Sequence, residues 1–208
     1  MTYQGELRVE MRNVLVLLGV CLLGACNGST GNISPCIEDF CLAESMPEFM
    51  NSIPSTHSDF ETKTTELYTQ VKFKKPIEIN GAEFKLSFSE IDGSEQIDST
   101  SMLFVKEMTS KTEEQCETEF VDTINYMALK FGPLKPLKVP VPQDYKVDKK
   151  RTSKQQGYRR IEAPRGQITF QASADNEALS FGLKVLGPVF TRHRDIPDCK
   201  LLIVFESK

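Results

Sequence analysis

No tryptophan occurs among the 208 residues, and only two histidines do, His57 and His193. General-base chemistry near neutral pH therefore has just two candidates that need no perturbation of their pKa. The motifs of common hydrolytic and phosphate chemistry are missing as well. There is no Gly-x-Ser-x-Gly elbow, no glycine-rich phosphate loop and no His-Glu-x-x-His zinc helix. Charge of one sign is also scarce: 25 Lys+Arg stand against 29 Asp+Glu, a net charge of −4 that excludes a dedicated nucleic-acid binder. The one long apolar run, Val14 to Ala25, has twelve residues, short of the about 20 that a helix needs to cross a roughly 30 Å hydrocarbon core. A polytopic membrane protein is thereby excluded. Hydrophobic residues make up 39% of the chain and charged residues 26%, a globular balance that rules out wholesale disorder and collagen-like repeats and fits a single domain.

What is present begins with that run. Preceded by Arg12, it has the length of the apolar region of a secretory signal, and it ends Leu23-Gly24-Ala25-Cys26. Residues 11 to 26 resemble the lipobox signal peptide of bacterial lipoproteins, an apolar residue and two small ones before a cysteine. The resemblance implies that Cys26 becomes the first mature residue and carries a thioether-linked diacylglycerol with an amide-linked acyl chain. Two or more buried chains hold a protein stably at a bilayer, whereas one holds it marginally. Asn27, where an aspartate often retains such lipoproteins at the inner membrane, favours the outer one. Glu6 and Glu10 lie among the ten residues before Met11 and suit no positively charged signal start, so translation is expected to begin at Met11. The expected organisation is a signal over 1–25, a lipidated tether over 26–34 and one globular domain over 35–208.

Cys36, Cys41, Cys116 and Cys199 remain beyond Cys26. Outside the cytoplasm four cysteines read as two disulfides, with three possible connectivities. The simplest is Cys36–Cys41 with Cys116–Cys199. Residues five apart in an α-helix rise about 7.5 Å, beyond the roughly 7 Å Cα limit of a disulfide, so either residues 36–41 are non-helical or these two cysteines pair elsewhere. Cys-x₄-Cys is poor zinc spacing, and neither a metal site nor a cofactor is expected.

Residues 35–62 read as irregular, with a short helix after Pro47. Alternation then places Leu67, Thr69, Val71 and Phe73 on one face of a strand. Ile77 and Ile79 lead into Asn80-Gly81, a strong hairpin signal, and Ala82, Phe84, Leu86 and Phe88 line the return strand. Asp92-Gly93 and Asp175-Asn176 are expected turns. Ser101–Lys106, apolar on both faces, predicts a central strand. Thr112-x-x-Gln115 is a capping box opening a helix over residues 113–131, with Cys116, Phe120, Ile124, Met127 and Phe131 on one stripe. Four prolines in residues 133–142 predict an extended surface crossing. Ile168, Phe170 and Ala172 point inward on a further strand, Leu179, Phe181, Leu183 and Val185 return, and Leu201–Phe205 predicts another central strand. The expected fold is α+β, an antiparallel sheet of about six strands with one main helix packed on one face. A β-barrel or sandwich with one helix is the alternative.

Eight basic residues fall between Lys146 and Arg165: Lys146, Lys149, Lys150, Arg151, Lys154, Arg159, Arg160 and Arg165. Only Asp148 and Glu162 oppose them. Such a segment suits an anionic envelope component or an acidic partner protein, though a solvated loop is the plainer reading. Two flanking tyrosines, Tyr145 and Tyr158, make no stacking platform for nucleic acid. His193, in Thr-Arg-His-Arg-Asp, would have its pKa depressed by the flanking arginines while Asp195 orients it. Phe84, Phe88, Phe170 and Phe181 suit core packing better than a ligand cavity. The functional expectation is a lipid-anchored protein of the periplasmic face, the outer membrane favoured over the inner, with a non-enzymatic binding or accessory role. Its expected partners are the membrane, through the N-terminal lipid, and an envelope protein or an anionic envelope component, with no nucleic acid. An inhibitor or immunity lipoprotein and a hydrolase using His193 are the alternatives.

Overall fold

The computed structural model describes residues 35–91, 99–109, 111–148, 157–164, 167–174, 179, 181–191 and 198–207. The signal, Cys26, the tether and both predicted aspartate turns lie outside the described residues. Among the described residues thirteen strands run β1 (Cys36–Ile37), β2 (Phe40–Cys41), β3 (Phe60–Thr64), β4 (Tyr68–Phe73), β5 (Ile77–Ile79), β6 (Ala82–Ile91), β7 (Ser99–Thr109), β8 (Lys135–Pro136), β9 (Lys146–Val147), β10 (Arg159–Glu162), β11 (Gln167–Ala174), β12 (Phe181–Thr191) and β13 (Asp198–Ser207). Among the same described residues two α-helices join them, α1 (Met46–Ser52) and α2 (Glu113–Phe131).

The fold is α+β and dominated by one open antiparallel sheet of eleven strands, not six, in the order β3-β4-β6-β7-β13-β12-β11-β10-β9, with β5 and β8 appended to β6 and β11. It does not close into a barrel. An N-terminal meander ends on β7, a C-terminal run ends on β13, and these two long strands pair in the middle, Phe104 opposite Ile203. Both are central, as their apolar sequences predict, yet burial alternates along them. Met102, Phe104, Leu201, Ile203 and Phe205 are buried, whereas Leu103, Val105, Leu202 and Val204 are half-buried. Among the described residues the helices cover one face of the sheet.

Asn80 and Gly81 both have positive φ, 50° and 73°, and join Ile79 to Ala82 as a two-residue hairpin. That conformation is why Asn-Gly is favoured there. Phe84, Leu86 and Phe88 then face the core together. Thr112 accepts from the Gln115 amide at 3.2 Å, and the Gln115 side chain accepts from the Thr112 amide at 2.9 Å. This satisfies donors that a helix start leaves open. The predicted stripe of α2 is buried throughout and meets β11 and β12. Helix α1 covers β6 on the same face, with Phe49 stacked on Phe88 at 4.0 Å between ring centroids. Phe120 packs on Phe170, and Phe131 on Phe181. The four candidate cavity phenylalanines are core.

Both proposed disulfides are present. Cys36 and Cys41 face each other across the β1–β2 hairpin with Cα atoms 3.9 Å apart, so this segment is a strand pair rather than a loop. Cys116 on α2 bridges to Cys199, inside β13, at a Cα distance of 6.1 Å. Residues 35–62 are more ordered than expected: beyond the hairpin they form α1, which takes Pro47 into its first turn, and the edge strand β3. Leu67 leaves its expected strand face and is 71% exposed.

Candidate functional site

The basic stretch is divided by its own secondary structure. Lys149, Lys150, Arg151, Lys154 and Arg165 lie outside the described residues, as does His193. Lys146 is exposed on β9. Arg159 and Arg160, instead of standing in solvent, are buried on β10 at 8% exposure each. Successive strand residues point to opposite faces, so these two guanidiniums serve different ends.

Arg160 faces α2. Its Nε and Nη2 donate to Glu113 Oε1 at 3.1 and 2.6 Å, and Glu162 lies 3.6 Å away. Burial disfavours its charge, but the bond and the attraction to Glu113 outweigh this and raise its pKa. Tyr158, on the same face, donates to Glu117 at 2.8 Å while its ring packs on Phe120 and Phe170. Lys106 of β7 donates to Glu119 at 2.7 Å. The acidic first turns of α2 thus complement the helix dipole and also clamp the helix to strands.

Arg159 faces the other way, onto the sheet surface opposite the one that α1 and α2 cover. Its register partner Gln171 stands beside it on β11, and Gln171 Oε1 accepts from Nε at 2.9 Å and from Nη2 at 2.7 Å. Nη1 donates to the Val139 carbonyl at 2.9 Å. Among the described residues no carboxylate comes within ion-pair distance of this guanidinium. Burial, with no anion to offset it, pushes its pKa down.

Above Arg159 the proline-rich segment crosses as expected, pairing with β11 where Lys135 opposes Ser173 and Pro136 opposes Ala172. Between segment and sheet is a cleft of about 280 Å³. Its floor is Arg159, Ile161, Thr169, Gln171, Lys184 and Leu186; its roof is Leu137, Val139, Pro140, Val141, Pro142 and Tyr145. Lys184 is already engaged by Glu206 at 2.5 Å. The sequence marked Arg159 among eight cations but not its surroundings. The available signal was the Arg159-Arg160 pair itself, since adjacent strand residues cannot share a face. A second depression, between the β5–β6 hairpin and α2, is walled by Lys106, Glu119 and Asp122, and its lysine is already paired.

His57, the described histidine, sits in a 3-10 turn with its ring edge-on to Phe40 and Nδ1 3.0 Å from the Thr56 hydroxyl. Among the described residues no cluster of His, Cys, Asp and Glu could hold a metal ion, and no helix is long and apolar enough to cross a membrane. Comparison with protein-family models, with curated proteins and with solved structures finds no match to this chain.

Proposed function

We propose that the protein is a lipid-anchored, exported binding or accessory protein without catalytic function, held through acylated Cys26 at the periplasmic face of an envelope membrane, the outer rather than the inner. The observation that carries this reading is the pairing of every cysteine beyond Cys26, Cys36 with Cys41 and Cys116 with Cys199. Reducing compartments keep such thiols free, so two bridges support export to an oxidising one. Export in turn gives the lipobox at residues 11 to 26 its function. A tether of residues 26–34 keeps the domain beside the bilayer, where an envelope protein or an anionic envelope component is the partner.

Radiolabelled palmitate fed to producing cells tests the anchor. Wild-type chain takes up label and fractionates with membranes, and Cys26→Ser does neither. An unlabelled wild-type chain in the cytosol defeats the proposal. Crosslinking in intact cells then identifies the partner, and charge reversal at Lys149, Lys150 and Arg151 reads the contribution of the basic stretch to its capture.

A further inference from the structure

A buried cation is ordinarily paired, because removing a charge from water without a counter-charge is costly. Arg160 obeys this rule through Glu113, and Lys106 through Glu119. Arg159 departs from it, since all its bonds run to neutral acceptors. Nη1 and Nη2 each make one hydrogen bond, which leaves each a second N–H. The guanidinium lines a cleft whose other walls are largely aliphatic and prolyl, with the Thr169 and Tyr145 hydroxyls as the remaining neutral polar groups. Concave apolar walls with a few convergent polar groups are the usual make-up of a small-molecule site.

We infer that this cleft binds a small monoanionic organic acid, whose carboxylate meets Arg159 and whose hydrocarbon part lies between Leu186 and Ile161 on the floor and Val139 and Pro140 on the roof. A carboxylate matches the single uncompensated charge and the planar donors of a guanidinium. A phosphate dianion would bring a second charge, and the other cation among the described lining residues, Lys184, is occupied by Glu206. A volume of about 280 Å³ lies at the small end of ligand sites and suits a short chain rather than a whole lipid. The inference deepens the proposed binding role and rests on it, naming the class of ligand.

Saturation-transfer NMR on the full-length chain tests this with hexanoate, its uncharged counterpart hexanamide and inorganic phosphate as probes. Hexanoate binds, hexanamide binds about tenfold more weakly or worse because it lacks the charge-assisted bond, and phosphate does not bind. Two variants locate the site. Arg159→Met removes the charge and lowers hexanoate affinity by about tenfold or more. Should that chain fail to fold, Gln171→Glu keeps the volume and supplies the missing carboxylate internally. It folds with a raised Tm and loses hexanoate binding to the same degree. Equal binding of hexanoate and hexanamide, phosphate bound in place of hexanoate, absence of hexanoate binding, or full retention of it in Gln171→Glu each overturns the inference. Cys26→Ser leaves hexanoate binding unchanged, so failure of the anchor and failure of the cleft are read separately.

Discussion

At the scale of single residues the most informative polar group outside the cleft is Glu38. It occupies the turn of the β1–β2 hairpin with a positive φ of 50° and joins that hairpin to α2. Tyr126 donates its hydroxyl to the Glu38 carboxylate, and Lys130 reaches the same oxygen at 3.3 Å. The tyrosine bond, opposed by burial and aided by Lys130, holds the Glu38 carboxyl below its ordinary pKa. Burial and Glu38 together raise the Tyr126 pKa; Lys130, though burial works against its charge, is raised by its bonds to Tyr126 and Glu38. A depressed carboxyl contributes stability that is full above its unfolded pKa and is lost as pH falls through the folded one. The raised groups contribute stability that is full below their unfolded pKa values and is lost as pH rises through the folded ones. Glu38→Gln is therefore expected to cost about 0.5 kcal/mol at pH 7, a figure reduced for partial exposure. The cost fades as pH falls through the depressed folded pKa and is gone once the carboxyl is protonated in both states. Urea denaturation of both proteins at pH 7 and pH 3 reads the difference, and a gap that does not narrow at pH 3 contradicts the assignment.

At the scale of elements, the junction of β10 with α2 joins two repeats of nearly equal length. Glu113 and Glu117 are one step of four apart on the helix, an axial rise of about 6 Å. Tyr158 and Arg160 are two apart on a strand, about 6.6 Å, so both contacts form at once. Glu113→Gln removes the carboxylate closest to the buried Arg160, with Glu162 standing farther off at 3.6 Å, and is expected to cost about 2 kcal/mol in urea denaturation. Adding Arg160→Met recovers part of that cost, because an apolar pair in place of a buried ion pair is near neutral. A loss no larger than the about 0.5 kcal/mol of an exposed pair would show that the junction contributes no more than surface contacts do. This junction was illegible beforehand for a physical reason. Strand β10 reads Arg-Arg-Ile-Glu, and its charges look solvated until their partners on another element are known. Strand β3 was hidden differently: as an edge strand largely exposed after Phe60, it carries no alternation to detect. The two-residue strands are too short to leave a pattern. The β5–β6 hairpin and α2 were legible because turn chemistry, capping and periodicity all act within a few residues. The cleft was only partly legible: Arg159 stood among the marked cations, whereas Gln171, Leu186 and the Val139 carbonyl reach it through register and a chain crossing that no local pattern encodes.

At the scale of the whole molecule, the fold joins an N-terminal meander to a C-terminal run along β7 and β13, with α2 as the link between them in the chain. The Cys116–Cys199 bridge fastens that helix to β13 across a sequence separation of 83, while Cys36–Cys41 closes a separation of only 5. On the chain-entropy account the long bridge contributes roughly 4.5 kcal/mol and the short one roughly 2 kcal/mol, since a longer loop restricts the unfolded chain more. Replacing Cys116 and Cys199 by alanine is therefore expected to lower Tm by about 10 °C or more, and replacing Cys36 and Cys41 by about half of that. Circular dichroism melts of the two double variants supply the comparison. Wild-type protein melted with a reductant should fall below the Cys116/Cys199 variant, because it loses both constraints. Equal losses from the two pairs would mean that the strand pairing of β7 with β13 already restrains the chain as tightly as the bridge does. The larger loss expected for the long bridge instead makes disulfide formation the step that secures α2 on the sheet, and a chain built that way reaches full stability only where its thiols can oxidise.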